Sequence, residues 1–238
     1  MSSLLLLGFL IGMRHALEAD HVAAVASLAT KTTSVRSAIR QGAVWGLGHT
    51  ITLFLFSSIV IMTDNIMPEK FANGLEFVVG IMLVFLGGDV IRRLLKDRIH
   101  FHSHQHDNDV THFHAHKHTN SKTSYKPHAA SAHKHEHNAD FPIKSLYVGM
   151  MHGMAGSAAL ILLTLQSVDS VATGLLYILM FGTGSIIGMA ALSVIIVIPL
   201  RHSAKGLTWV NNGLQGVIGV ATMALGSMII YDIGIVYI

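Results

Sequence analysis

Two imidazoles and two carboxylates share seven consecutive residues, His15-Ala-Leu-Glu18-Ala-Asp20-His21, inside an apolar run from about residue 4 to residue 28. Nitrogen and oxygen donors in this mixture make a ligand set for a divalent transition metal. The surroundings sharpen the reading. Charged groups at membrane depth are costly, and where they occur they usually line a pathway or a ligand site. The alternative is a helix end whose charges reach the headgroups. Against it, apolar residues resume at Val22 and continue to Leu28.

Composition says what must position these groups. The chain has 238 residues, 51% hydrophobic and 12% charged, about half the charge of an ordinary soluble domain. It reads as an all-α integral membrane protein. With no cysteine, thiolate sites and disulfides are excluded, and a metal must be held by N and O donors. The first residues, Met1-Ser-Ser-Leu-Leu, lack a basic region and a small-residue cleavage site, so they read as a retained helix. Apolar runs place six spans near 4–29, 38–62, 71–95, 144–167, 171–199 and 208–231. The runs are too long and continuous for barrel strands. Basic residues segregate: Lys31, Arg36, Arg40, Arg92, Arg93, Lys96, Arg98, Lys144, Arg201 and Lys205 fall on one side, while the other has Asp64, Glu69, Lys70, Asp169 and Asp232. The positive side is expected to be cytoplasmic. A multi-pass plasma-membrane protein with both termini outside follows.

The chain also repeats itself. Gly12-Met-Arg-His15 resembles Gly149-Met-Met-His152, Trp45-Gly-Leu-Gly48 resembles Phe181-Gly-Thr-Gly184, and Asn73-Gly-Leu-Glu-Phe-Val-Val-Gly80 resembles Asn212-Gly-Leu-Gln-Gly-Val-Ile-Gly219. The matches run in chain order at nearly one offset. Three spans per repeat is an odd number, so the second must be inverted, giving six transmembrane helices as a 3+3 inverted repeat. The expected units are 1–95, a loop 96–143, and 144–238. Inverted repeats are a transporter architecture with the site near the midplane.

Depth brings more residues to that plane. At 1.5 Å rise per residue, His15 and His49 lie roughly 17 Å and His152 roughly 12 Å into their spans. All three are near the middle of a hydrocarbon core about 30 Å thick. A lone buried histidine is usually a packing residue, but three at one depth beside carboxylates favour a metal site. Relative to His15, Glu18 lies near 300° and His21 near 240° on a helical wheel, whereas Asp20 lies near 140°. A regular helix cannot aim all four at one ion. Either it unwinds there, or Asp20 orients a histidine from behind. Arg14, one turn from Glu18, is a candidate partner that would make Glu18 structural.

These residues resemble the nickel/cobalt transporter family. Its His-x4-Asp-His hallmark is matched by His15, Asp20 and His21, and its Leu-Gly-His-Ser/Thr feature by Leu47-Gly-His49-Thr50. The resemblance is concentrated in residues 8–55. The second half lacks the acidic motifs of the eight-span members and has His152-Gly-Met-Ala-Gly-Ser157 instead, so the chain is more similar to the short permeases linked to urease maturation. The resemblance implies Ni²⁺, with Co²⁺ second, as transported substrate rather than cofactor. It implies a transit site with His15, Asp20, His21 and His49; His152 is expected to join them as the repeat mate of His15, with Glu18 beside them. Cytoplasmic nickel chaperones or urease-maturation proteins are implied partners, and no nucleic acid.

Of 17 histidines, 12 lie between His100 and His137, in a polar segment expected to be disordered. Such tracts bind divalent metals with little selectivity, which suits capture or buffering at the pore exit. Two rivals remain at this point. One is the same fold working as an exporter. The other is a six-span intramembrane serine hydrolase using Ser157, which explains neither Asp20-His21 nor the histidine-rich loop. No nucleotide-binding motif is present, so direct ATP use is not expected.

Overall fold

A computed structural model describes residues 2–32, 34–63, 68–96, 100–105, 111–116, 142–155, 170–206 and 208–237. The helices are α1 (Ser2–His15), α2 (Ala19–Ala29), α3 (Val35–Thr63), α4 (Glu69–Lys96), α5 (Ile143–Ala155), α6 (Val171–Gly206) and α7 (Thr208–Tyr237). Four of them, α3, α4, α6 and α7, are long and apolar enough to cross a membrane, and the bent pair α1–α2 makes a fifth candidate. Lipid offers no partner to backbone N–H and C=O groups, so long apolar segments close their own hydrogen bonds as helices. The expected span 144–167 is represented by α5 alone, which is 13 residues long. Its continuation, 156–169, lies outside the described residues.

The first expected span is not one helix. α1 and α2 meet at 57°. The chain tightens through Leu17 N–H to Arg14 C=O and Glu18 N–H to His15 C=O at 2.9 and 3.0 Å, and the helix restarts with Val22 N–H to Glu18 C=O. Glu18 sits extended at φ −63°, ψ 147° and begins α2 without capping it through its side chain. None of Ala16, Leu17 and Glu18 is a strong helix breaker. The backbone bonds lost at the break are partly replaced by these three-residue contacts.

Packing follows the small residues. α3 lies along α6, α4 along α7, α1 against α6 and α5 against α3. A Cβ on Gly12 would overlap the Phe181 carbonyl, and one on Gly149 would overlap the Trp45 carbonyl. Gly87 and Gly219 face each other, each with the other's carbonyl in the path of a Cβ. Close backbone approach through small residues is how helices associate where lipid removes the hydrophobic drive. The central core joins Ala16, Ala24, Val25, Leu28, Trp45, Val79, Met82, Leu83, Met189 and Leu192. At one end, Asp89 on α4 accepts from Lys31 at 2.6 Å and Arg93 at 3.3 Å, and Arg93 donates to Thr30 Oγ1 at 3.0 Å, tying α2 to α4.

The segment expected to be disordered contains a hairpin. β1 (His100–Gln105) and β2 (Thr111–His116) pair antiparallel with His100 opposite His116, His102 opposite His114 and His104 opposite His112. The physical reason is in the spacing: His-x-His alternation has the two-residue period of a strand. The rest of 97–141 lies outside the described residues.

Adjacent glycines on α4 give a sharp test of the packing. Gly87 is pressed on Gly219 and Met223, whereas nothing lies within 4 Å of a Cβ on Gly88. Gly87→Ala should destabilise the bundle by about 1–3 kcal/mol. Gly88→Ala should be neutral or stabilise it by up to about 1 kcal/mol. Thermal unfolding of the two purified variants in detergent checks the opposite signs.

Candidate metal centre

The break between α1 and α2 is where the chemistry collects. α1 ends on His15, α2 opens with Asp20 and His21, α3 passes by with His49, and α5 brings His152. All four imidazoles are buried: His15 is 7% exposed, His152 1%, and His21 and His49 0%. Ring centroids of His15 and His21 are 4.3 Å apart, His15 and His49 5.3 Å, His21 and His49 5.1 Å, and His21 and His152 4.2 Å. The bend dissolves the conflict of helical angles, because His15 and Asp20 no longer share a helix.

Asp20 joins the two halves of the chain. Its Oδ1 accepts from His21 Nδ1 at 2.9 Å and from the His21 backbone N–H at 2.9 Å, and its Oδ2 accepts from His152 Nε2 at 2.8 Å. A carboxylate only accepts, so each imidazole presents its N–H to Asp20. The first turn of α2 is also the favourable end of that helix for a negative charge. Glu18, with its side chain 57% exposed, accepts from His15 Nδ1 at 2.8 Å. Its partner is thus His15, not Arg14 as the helical spacing had offered.

These bonds occupy one nitrogen each of His15, His21 and His152 and leave the other bare. Among the described residues His15 Nε2, His21 Nε2, His152 Nδ1 and both nitrogens of His49 have no hydrogen-bond partner. A buried polar atom without a partner costs about 1–3 kcal/mol, so these bare nitrogens are the atoms from which a bound ion would gain most. Two donor groups meet the geometry for an ion. In one, His15, His21 and His49 bring ligand atoms within 4.8 Å of one another, and in the other Asp20, His21 and His152 do. Nitrogens bound roughly 2.1 Å from a divalent ion stand roughly 3–4 Å apart, so a small inward shift suffices. The donors are imidazole and carboxylate without sulfur, a set that suits Ni²⁺ and Co²⁺.

The five residues His15, Asp20, His21, His49 and His152 therefore converge, and Glu18 stands at their edge. Sequence reasoning missed Trp45, which it used only as a repeat marker. Its indole packs on His21, His49 and His152 with centroids 5.4, 6.2 and 5.5 Å away, and its Nε1 has no partner among the described residues. The available signal was its position one turn before His49 on α3. Ser157, the nucleophile of the hydrolase alternative, lies outside the described residues.

Residues 1–143 match the family model of the high-affinity nickel-transport proteins, NicO. The chain belongs to the NicO family. Along nearly its whole length this NicO protein is also similar to the urease accessory protein UreH of Bacillus sp. (strain TB-90), with 35% identity over 234 residues, 98% of this chain and 92% of the relative. No solved structure matches it. A NicO protein is a nickel transporter and not an enzyme, which removes the hydrolase reading.

If the bare nitrogens are ligands, His15→Ala and His49→Ala should each abolish saturable nickel transport while the protein still inserts and folds. Asp20→Asn, which keeps the shape but supplies an N–H where an acceptor is needed, should lower nickel affinity about 10–100-fold. Isotope uptake by cells expressing equal amounts of each variant reads both effects. Normal uptake by the double variant His15→Ala/His49→Ala would sink the site.

Proposed function

We propose that this nickel transporter imports Ni²⁺, with Co²⁺ as a second substrate, into the cytoplasm through the histidine cluster at mid-membrane. The observation that carries the reading is the set of buried, unpartnered imidazole nitrogens at the α1–α2 break. Ions that cross a bilayer need a site where the protein replaces their hydration shell, and discontinuous helices are where transporters build one. The family's high affinity fits uptake, since gathering a trace metal from a dilute exterior requires tight capture, whereas export works on an accumulated load. The cytoplasmic face is the one bearing Lys31, Arg36, Arg92, Arg93 and Arg201. Both termini are then outside and the histidine-rich segment inside, ready to pass metal to cytoplasmic nickel-handling proteins.

The architecture behind this is a 3+3 inverted repeat, residues 1–95 and 144–238 around the segment 96–143. Support comes from pairs that exchange under the repeat. Gly12 of α1 packs on Phe181 of α6 as Gly149 of α5 packs on Trp45 of α3. His15 lies 5.2 Å from Phe181 as His152 lies 5.5 Å from Trp45. Gly80 meets Gly226 as Gly219 meets Gly87. α1 and α5, entering from opposite faces, would end on equivalent histidines at the same depth.

The direct test is nickel flux into proteoliposomes holding the purified full chain in known orientation. Saturable Ni²⁺ entry toward the face carrying residues 100–116 is expected, with Co²⁺ competing. Flux only the other way would make the protein an exporter. A second outcome concerns the loop: replacing the 12 histidines between His100 and His137 by serine should lower total bound metal while saturable transport persists. Complete loss of transport in that variant would place the loop in the pathway itself.

A further inference from the structure

Two overlapping donor groups, rather than one, occupy the centre of the protein. They share His21 and nothing else. To it the first adds His15 and His49, from α1 and α3, and the second adds Asp20 and His152, from α2 and α5. We infer that they are two successive stations for a divalent cation: a loading station of His15, His21 and His49, and a transfer station of Asp20, His21 and His152. This rests on the transport reading above and adds to it the order in which residues are used.

The hydrogen bonds set that order. At the loading station His15 Nε2, His21 Nε2 and the His49 nitrogens are free of protein partners among the described residues, so an ion can bind without breaking a bond. At the transfer station His21 Nδ1 and His152 Nε2 are engaged with Asp20 at 2.9 and 2.8 Å. Filling it means exchanging both hydrogen bonds for metal bonds, with each ring's N–H proton moving to its other nitrogen so that both imidazoles stay neutral. The first station is therefore the resting site, and the second forms only as the ion moves. The stations stand on opposite nitrogens of His21, so filling both would set two dications on one ring, and their repulsion opposes it. A shared ligand also lets the ion pass without ever being bare, a requirement for leaving a site as well as entering it. The direction of travel matches the scaffold: His15 ends the helix that enters from one face, and His152 lies on the helix that enters from the other.

The consequence is a separation of binding from translocation. Trp45 reports it, since its ring lies against His21, His49 and His152. The chain has two tryptophans, and the other, Trp209, is 75% exposed. In full-length Trp209→Phe protein, quenching of Trp45 by buffered free Ni²⁺ reads the centre and not the histidine-rich loop. His152→Ala and His152→Asn are then compared. Asn retains a side-chain N–H for Asp20, so it keeps the structural link where Ala fails to fold, yet it is a poor ligand for nickel. Both folded variants should hold the quenching midpoint of the parent while nickel flux in proteoliposomes falls about 10–100-fold. His49→Ala should lose quenching and flux together. Loss of quenching in His152→Asn in parallel with flux would mean a single site and overturn the two stations. Full flux in His152→Asn would overturn them as well. A parent protein with neither quenching nor flux would overturn the transport reading itself.

Discussion

A single carboxylate ties the two halves of this protein together at the centre of its buried histidine cluster. Asp20 takes a ring and a backbone hydrogen bond from His21, its neighbour on α2, and a ring hydrogen bond from His152, 132 positions further on. Both partners are buried rings, and buried polar groups are tolerated only when satisfied. Each bond therefore fixes a ring orientation and exposes the opposite nitrogen. The bare edges that face His15 and His49 follow from where Asp20 stands. Asp20 in turn stands there because the chain bends at Glu18, which puts the start of α2 and its positive helix end under the carboxylate.

The bend needs a scaffold that does not give. Glycine contacts supply it: α1 lies on α6 through Gly12 and α5 on α3 through Gly149, each seated on a backbone carbonyl. Such contacts leave no room for sliding, so the ends of α1 and α5 arrive where His15 and His152 are needed. The paired closeness of α4 and α7 at Gly87 and Gly219 extends the same device to the outer pair of helices. Small residues here do more than permit contact. They convert the depth of a histidine along its helix into a defined position in three dimensions.

How much of this was legible beforehand follows from what each signal encodes. That His15, Asp20, His21, His49 and His152 lie together was readable, because charge inside an apolar run stands out against its surroundings. The helices were readable too, since hydropathy over 20 residues averages away local detail. The bend was only half legible: helical angles showed that a straight helix was impossible, yet Ala16-Leu-Glu18 carries no glycine or proline to mark the break. The partner of Glu18 was left open because Arg14 and His15 are both near it in sequence, and the bend decides for His15. Trp45 was hidden because an aromatic in a membrane helix has no composition signal that separates a site wall from a lipid face. The hairpin at 100–116 was hidden by polarity, although its alternation was visible in the letters.

Charge explains why the cluster holds two carboxylates when three imidazoles alone could bind an ion. A dication at mid-membrane bound only by neutral rings would keep its full charge where water is absent, and an uncompensated buried charge is costly by several kcal/mol or more. Asp20 and Glu18 together carry the opposite charge of one Ni²⁺ or Co²⁺. Neither must touch the ion to act: at these distances in a weakly polar medium a carboxylate behind an imidazole still offsets charge in front of it. The two are not equivalent. Asp20, with a side chain 29% exposed, is bound on both oxygens, whereas Glu18, 57% exposed, leans on His15 from the edge of the cluster. The inner carboxylate is thus held by its hydrogen bonds until an ion reaches it, and the outer one offsets charge from the edge through His15. A thiolate site would neutralise the ion more completely and hold it longer. Neutral rings backed by carboxylates bind firmly enough to select a transition metal and loosely enough to release it, which a transporter requires and a storage site does not.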